Sequence, residues 1–154
     1  MVLRPELGSG ATEETSAAMK RLLIVDDDPM VLRSLARAMG ALLSDDWEIH
    51  QAASPAVAIY IASRQSYRKE DREQTNYHPP EIDVVLSDFV MGEYNGVQVL
   101  AEFKKHSPST LRLMSSGLPA EEIQREAAGF GAVVDFFWPK PLDPKDLARM
   151  LEGE

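Results

Sequence analysis

Short apolar runs alternate with longer amphipathic segments along most of this chain. Five of the runs have the length and the nearly unbroken apolar character of strands that helices cover on both faces of a sheet. These runs are residues 22–25, 47–52, 82–86, 111–115 and 133–137. The pattern therefore predicts a parallel sheet built from alternating strands and helices.

Amphipathic segments that separate the runs are predicted to be helices. They lie at about 29–43, 55–64, 96–105, 120–128 (ending at Gly129) and 144–151. The apolar positions chosen for the buried face of the first helix are spaced four, three and four apart, at Val31, Leu35, Ala38 and Leu42. Asp28 followed by Pro29 indicates the start of that helix. Asp28 is thus interpreted as a helix cap rather than a ligand.

The remaining segments set the expected domain boundaries. Residues 1–18 are rich in small and polar residues and lack a sustained apolar period, so a flexible tail is expected there. Residues 19–154 are expected to form one domain that stands alone, because the chain ends directly after the fifth helix. The charged stretch 66–81 is predicted to be a solvated loop that leads into the third strand.

Composition narrows the class of protein. With 44% hydrophobic and 27% charged residues, the chain is typical of a soluble globular protein. Its formal charge of −9 disfavours direct binding to nucleic acid. No apolar run approaches the roughly 20 residues of a membrane span, and no signal peptide is recognisable, so a cytoplasmic location without membrane contact is expected. The absence of cysteine excludes disulfides and thiolate metal sites.

Polar residues follow the predicted strands at the edge where open parallel sheets bind ligands. They are Asp26, Asp27 and Asp28 after the first strand, Ser87 and Asp88 after the third, Ser115 and Ser116 at the end of the fourth, and Lys140 after the fifth. Clustered carboxylates repel one another, and an oxygen-seeking cation such as Mg²⁺ relieves that repulsion.

The same residues suit phosphoryl transfer, because a carboxylate can attack a phosphoryl group to give an acyl phosphate. The transferred group spreads charge over three oxygens. The cation would neutralise one oxygen, the Lys140 ammonium a second, and the Ser116 hydroxyl with nearby backbone N–H groups the third.

The chain resembles the receiver domain of two-component response regulators over about residues 20–152. The matching segments are LLIVDDDPMVLRSL, DVVLSDFVMGEYNGVQVL, LRLMSSG, AAGFGAVVDFF and the KPL at 140–142. The resemblance implies a flavodoxin-like, doubly wound α/β fold, with five parallel strands in the order 2-1-3-4-5 and five helices.

The resemblance also implies roles for the carboxylates. Asp88 would be the phosphoacceptor. It would share a Mg²⁺ or Mn²⁺ ion with Asp27 and the Val90 backbone carbonyl as direct ligands, and with Asp26 acting through water. The phosphodonor would be a sensor histidine kinase or a phosphotransfer protein.

Three further residues would bind the phosphoryl group or switch with it. Ser116 would follow the phosphoryl group, Lys140 would pair with it, and Phe137 would be the rotating aromatic side chain on the fifth strand, in place of the more frequent tyrosine. Trp138 is expected to add an exposed aromatic ring to the output face. Because proline cannot donate to a sheet, the fifth strand is expected to end by Trp138.

The implied function is a signalling switch without enzyme activity beyond Mg²⁺-dependent self-phosphorylation and autodephosphorylation. Phosphorylation would repack the face formed by the fourth helix, fifth strand and fifth helix. The output would be contact with a downstream protein, a homodimer formed through that face, or a phosphoryl group passed on. Val90 and Leu118 would flank the acyl phosphate without positioning water, so a long-lived phosphorylated state is expected.

Three other functions remain open. A receiver that has lost its chemistry would act as a constitutive docking module, although the intact acidic pair, acceptor and lysine argue against this. A small-molecule phosphatase using an aspartyl-phosphate commonly has a second carboxylate two residues after the nucleophile, where this chain has Val90. A flavin-binding module would need a Ser/Thr-rich phosphate loop after the first strand.

Overall fold

The computed structural model describes residues 19–66 and 80–153. The tail predicted at 1–18 lies outside the described residues, as does the 67–79 part of the predicted loop. The domain boundary proposed at residue 19 therefore stays a prediction.

Five parallel strands form one sheet in the order β2-β1-β3-β4-β5. The strands are β1 (Lys20–Val25), β2 (Trp47–Ala52), β3 (Val84–Asp88), β4 (Leu111–Ser116) and β5 (Phe136–Pro139). This confirms the predicted flavodoxin-like fold. The strand order reverses between β1 and β3, and sheets of this kind bind ligands in the crevice beyond the carboxyl ends of those strands.

Five α-helices of the described residues lie between and after the strands. They are α1 (Pro29–Leu42), α2 (Pro55–Arg64), α3 (Gly96–His106), α4 (Ala120–Ala127) and α5 (Pro144–Leu151). The Asp28 side chain accepts hydrogen bonds from the N–H groups of Met30 and Val31, so Asp28 caps α1 as predicted. Within the described part of the chain, no helix has both the length and the apolar character that crossing a bilayer requires.

The sheet separates two layers of core side chains, because neighbouring residues of a strand point to opposite faces. The layer under α2 and α3 includes Leu23, Val85, Phe103 and Met114. The layer under α1 and α5 includes Leu22, Leu86, Leu113 and Leu147. A fully buried side chain of this size stabilises the fold by about 1.5–3 kcal/mol, so the two layers fix the sheet on which the site is built.

The buried face of α1 differs from the predicted face by one position. Leu32, Ala36 and Met39 are buried, whereas Val31 and Leu42 are each 41% exposed. Both sets have a spacing of four and three residues, so the periodicity is right. The buried face is centred one position further along the helix, and Leu35 of the predicted set still packs partly buried against the core. Packing against the sheet determines which face of the helix is buried, and the periodicity of the helix alone does not reveal that packing.

The start of β5 lies three residues beyond its predicted position. Arg112 on β4 is buried, and its guanidinium donates to the backbone carbonyls of Val133 and Thr110. The Asp135 carboxylate accepts from the Arg112 backbone N–H and lies 3.4 Å from its guanidinium. The Asp135 N–H also donates to the Arg112 carbonyl at 2.8 Å, and the paired register with β4 begins at the next residue, Phe136.

The end of β5 also differs from the prediction, because the strand continues to Pro139. Backbone N–H groups point alternately to the two sides of a strand. The Lys140 N–H donates to the Ser116 carbonyl of β4 at 2.9 Å, so the nitrogen of Pro139 faces away from β4. Since β5 is an edge strand, no neighbour needs an N–H there, and proline is tolerated.

The turn after α4 is made by a different glycine from the one predicted. A 3₁₀ turn (Ala128–Phe130) follows α4, and the chain then passes through Gly131 with φ of 79°. Only glycine adopts this left-handed region without steric cost. The α-helix itself ends at Ala127, one residue before the predicted limit at 128, and the glycine with positive φ is Gly131 rather than Gly129.

Candidate functional site

Three carboxylates meet at the carboxyl edge of the sheet. Asp26 and Asp27 follow β1, and Asp88 is the last residue of β3. Val25 pairs with Ser87, so the residues directly after them are brought side by side. One carboxylate oxygen from each of the three lies within 4.8 Å of the other two. A cluster of hard oxygen donors at this spacing could hold Mg²⁺ or Mn²⁺.

Asp26 is the most deeply placed of the three carboxylates. It is 7% exposed, and this burial is the main reason that its pKa is raised above the ordinary value of a carboxyl. The Asp28 N–H donates to Asp26 Oδ1 at 2.9 Å and opposes the shift, as does the charge of Lys140, while Asp88 and Asp27 add to it. A bound cation would favour the ionised form of Asp26.

Asp88 is fixed by two donors on one oxygen. Lys140 Nζ lies 3.1 Å from Asp88 Oδ1, and the Phe89 N–H donates to the same oxygen at 2.8 Å. Among the described residues, none donates a hydrogen bond to Asp88 Oδ2. The carboxylate is therefore held in position with one oxygen left for a cation or an electrophile.

Strands β4 and β5 bring a hydroxyl and an ammonium group to the same edge. Ser116 ends β4, is buried, and accepts the Leu118 N–H on its Oγ at 3.1 Å. Ser116 pairs with Pro139, which puts Lys140 directly beyond β5. Because β5 continues to Pro139, Lys140 lies close enough to Asp88 for its side chain to contact the carboxylate.

A glycine allows α3 to approach the acidic cluster. Gly96 begins α3 and donates its N–H to the Phe89 carbonyl at 2.8 Å. A β-carbon on Gly96 would collide with the backbone carbonyl oxygen of Asp88 and would lie 2.9 Å from Met114 Cε. The connection after Asp88 is thus held against the first turn of α3.

The family model for the response regulator receiver domain matches residues 22–152. The chain belongs to this family. The match runs from Leu22 in β1 to just past α5, and the predicted resemblance to two-component receivers is confirmed.

Curated relatives are similar to most of this receiver. The sensor kinase CckA of Brucella abortus (strain 2308) is 31% identical over 134 residues, and the regulatory protein AtoC of Escherichia coli (strain K12) is 29% identical over 130 residues. These alignments cover 85% and 84% of this chain, but only 12% and 24% of the two relatives. The chain thus spans less than a quarter of the length of either relative.

Solved structures of receiver domains share the fold. A CheY-like receiver domain protein from Methanospirillum hungatei JF-1 has a TM-score of 0.67 at 21% identity, covering 88% of this chain and 92% of that one. The receiver domain of the hybrid histidine kinase CckA has a TM-score of 0.59 at 24% identity, covering 86% and 96% of the two chains. At these identities the likeness shows the fold alone.

The structure of this receiver brings together Asp26, Asp27, Asp88 and Lys140 and puts Ser116 at the same edge of the sheet. The backbone position of Val90 lies two residues after Asp88, in an exposed part of the following connection. The roles predicted for these residues stay predictions. Gly96 was not recognised as a site residue, because its importance depends on how closely α3 approaches Asp88.

The aromatic residues of β5 lie on both faces of the receiver's sheet. Phe137 is half-buried against the core layer under α2 and α3. The prediction that Trp138 is the exposed aromatic is wrong, because Trp138 packs against the layer under α1 and α5. Its ring centroid lies 4.3 Å from that of Phe136, and Phe136 is the exposed ring.

We expect Gly96→Ala to destabilise the receiver by about 1–3 kcal/mol, because the new β-carbon forces the backbone at Asp88 or α3 to move. Gly40→Ala is the control. Gly40 lies in α1 with nothing within 4 Å of an added β-carbon, so the same change there should stabilise by about 0.5–1 kcal/mol. Urea denaturation measures both changes, and equal effects of the two substitutions would contradict the close approach.

We expect Asp26→Asn to raise the Tm of the metal-free receiver by about 2–4 °C at neutral pH, the shift that roughly 1 kcal/mol gives in a domain of this size. The raised pKa of Asp26 means that its ionisation opposes folding. Protonation relieves this cost, so wild-type stability from Asp26 is present below the ordinary carboxyl pKa and is lost as pH rises through the raised value. Calorimetry should therefore show the difference in Tm shrinking as pH falls. A difference that grows instead would contradict the assignment.

Proposed function

We propose that this receiver is a phosphorylation-controlled signalling module in which Asp88 accepts a phosphoryl group from a histidine kinase or phosphotransfer protein. The observation that carries the proposal is the meeting of Asp26, Asp27 and Asp88 at one edge of the sheet, with Lys140 Nζ 3.1 Å from Asp88 Oδ1. Membership of the receiver family supports it. The formal charge of −9 supports a protein rather than a nucleic acid as the downstream partner.

An oxygen of Asp88 would form the new bond to phosphorus while the bond from phosphorus to the donor's imidazole nitrogen breaks. Oδ2 is the better nucleophile, because Oδ1 already accepts from Lys140 and from the Phe89 N–H. Lys140 would stay beside the transferred group and balance part of its charge. No further enzyme activity is proposed beyond self-phosphorylation and autodephosphorylation.

Asp26, Asp27 and Asp88 would hold the Mg²⁺ or Mn²⁺ ion, together with the Val90 backbone carbonyl. Three oxygen donors within 4.8 Å of one another fit this assignment. When bound, the ion supplies positive charge that neutralises phosphoryl oxygens. Asp26 is buried and has a raised pKa, so its full ionisation depends most on a cation nearby.

Readout of the phosphoryl group would use Ser116 and Phe137. The Ser116 hydroxyl would donate to a phosphoryl oxygen, and the Phe137 ring, now half-buried beside the core, would repack with it. Helix α4 supports a movable face, because Ile123 is its one buried side chain. The face formed by α4, β5 and α5 would then bind a downstream protein or a second copy of the receiver.

We expect Mg²⁺ with acetyl phosphate to add one phosphoryl group to the wild-type receiver and none to Asp88→Asn, which lacks a nucleophilic carboxylate. Asp45→Asn, in the exposed turn between α1 and β2, is the matched control and should be phosphorylated like the wild type. Intact-mass spectrometry measures the product. An unmodified wild type would favour a constitutive docking module instead.

We expect a long-lived phosphorylated state, because neither Val90 nor Leu118 can orient an attacking water by hydrogen bonding. Val90→Gln should shorten the lifetime several-fold, since the amide could position a water. Val57→Gln, at a comparably exposed position on α2, should leave it unchanged. Loss of the added mass with time measures all three, and a wild-type half-life of seconds would contradict the prediction.

A further inference from the structure

The peptide unit between Asp88 and Phe89 joins the acidic cluster to the backbone behind it. Its N–H group, which belongs to Phe89, donates to Asp88 Oδ1 at 2.8 Å. Its carbonyl group, which belongs to Asp88, accepts a hydrogen bond from Ser87 Oγ at 2.8 Å. A peptide unit is planar and rigid, so a bond that fixes the carbonyl also fixes the direction of the N–H group.

The Phe89 N–H group is the better fixed of the two donors on Asp88 Oδ1. The other donor, Lys140 Nζ, lies 3.1 Å away at the end of a flexible stem, and the Lys140 side chain is 38% exposed. An ammonium group on such a stem can follow the carboxylate if the carboxylate turns. The orientation of the Asp88 side chain therefore depends mainly on the Asp88–Phe89 peptide.

Ser87 is well placed to hold this peptide. It lies in β3 and is fully buried, with its side chain on the same face of the sheet as Val85, under α2 and α3. A buried hydroxyl keeps a partner within the protein, because water does not compete for it. The acceptor of the Ser87 hydroxyl is the Asp88 carbonyl, directly behind the acidic cluster.

Helix α3 restrains the same carbonyl from another side. Gly96 lies so close that a β-carbon there would collide with the Asp88 carbonyl oxygen. The Gly96 N–H also donates to the next carbonyl, that of Phe89, at 2.8 Å. The Ser87 hydroxyl and the first turn of α3 thus hold the peptide in one orientation, and loss of the hydroxyl would remove one of these two restraints.

We propose that Ser87 is a positioning residue for phosphoryl transfer to Asp88. Its hydroxyl fixes the Asp88–Phe89 peptide, and the Phe89 N–H in turn holds Oδ1 so that Oδ2 stays turned toward the phosphodonor. Ser87 touches neither the phosphoryl group nor the cation and acts through the backbone alone. The inference rests on the proposed acceptor role of Asp88.

Orientation matters in this reaction because the attacking oxygen has to lie in line with the bond from phosphorus to the leaving nitrogen. A nucleophile that is held in the attacking geometry reacts faster than one that has to find it. Without the Ser87 hydroxyl, the carboxylate would spend less time in that geometry. The expected cost in rate is the factor of about three to ten that one hydrogen bond provides.

Ser87→Ala tests the first link, from the hydroxyl to the carboxylate. In NMR spectra of the full, metal-free and unphosphorylated chain at neutral pH, the Phe89 amide proton of the wild type should lie at low field, because a carboxylate accepts it. In Ser87→Ala, we expect this signal to move to higher field as the bond to Asp88 Oδ1 weakens.

Kinetics test the second link, from the carboxylate to the reaction. With Mg²⁺ and acetyl phosphate, Ser87→Ala should gain its phosphoryl group about three- to tenfold more slowly than the wild type. Intact-mass spectrometry over time measures both rates.

Thr110→Val is the matched control. The Thr110 hydroxyl is also buried and donates to a backbone carbonyl, that of Ile82, at 2.8 Å, but it lies at the opposite edge of the sheet, just before β4. It also contacts Ser107 Oγ, so its loss should lower the Tm at least as much as Ser87→Ala does. The Phe89 signal and the rate of phosphorylation should nevertheless stay at their wild-type values, which separates positioning from stability.

A Phe89 signal that Ser87→Ala leaves in place would overturn the proposal. So would equal rates of phosphorylation in Ser87→Ala and the wild type, or an equal slowing in Thr110→Val. A wild type that takes up no phosphoryl group, while Ser87→Ala still moves the Phe89 signal, would refute the acceptor role of Asp88 and leave only the structural link between Ser87 and the carboxylate.

Discussion

Repulsion between carboxylates is the interaction around which the site is arranged. Two unit charges about 4 Å apart interact with an energy of roughly 4 kcal/mol at an effective dielectric constant of about 20. Asp26, Asp27 and Asp88 cannot move apart to avoid this, because β1 and β3 each pair with a strand on both sides. The repulsion is offset instead by Lys140 and by backbone N–H groups. The offset is incomplete at Asp26, whose pKa remains raised.

The same repulsion would make the proposed phosphoryl transfer depend on a cation. A phosphoryl donor is itself an anion, so an uncompensated group of three carboxylates would turn it away. Together with Lys140, a divalent cation would neutralise the three carboxylates, so the same edge would no longer repel phosphate. The proposed dependence on Mg²⁺ therefore follows from the placement of Asp26, Asp27 and Asp88 and requires no separate gating segment.

Much of this architecture could be predicted from the order of residues. The limits of β2 and α2 agree residue by residue with the predictions. The start of α2 is a local signal, because the Ser54 side chain caps the helix and Pro55 occupies its first position. The convergence of the acidic residues with Lys140 also followed, since parallel strands end at one edge of a sheet. Sequence rules were therefore sufficient for features set by neighbouring residues, such as a helix cap, and for features set by the strand topology, such as the common edge of the sheet.

Other features depend on tertiary contacts, which local sequence patterns do not reveal. The start of β5 is set by Arg112, whose guanidinium donates to the carbonyl of Val133, 21 residues away in the chain, as well as to the nearby carbonyl of Thr110. Gly96 matters only because α3 begins against Asp88. Ser115 and Ser116 both lie at the end of β4, and alternation along the strand directs their side chains to opposite faces of the sheet.

The outward-facing nitrogen of Pro139 limits how receivers of this kind can assemble. An open edge strand normally offers a row of donors to which a foreign strand can add, and this is how many sheets aggregate. Strand β5 is four residues long, and at Pro139 that row is interrupted. Growth of a continuous intermolecular sheet across β5 is thereby opposed, which favours side-chain contacts over strand addition at this edge of the sheet.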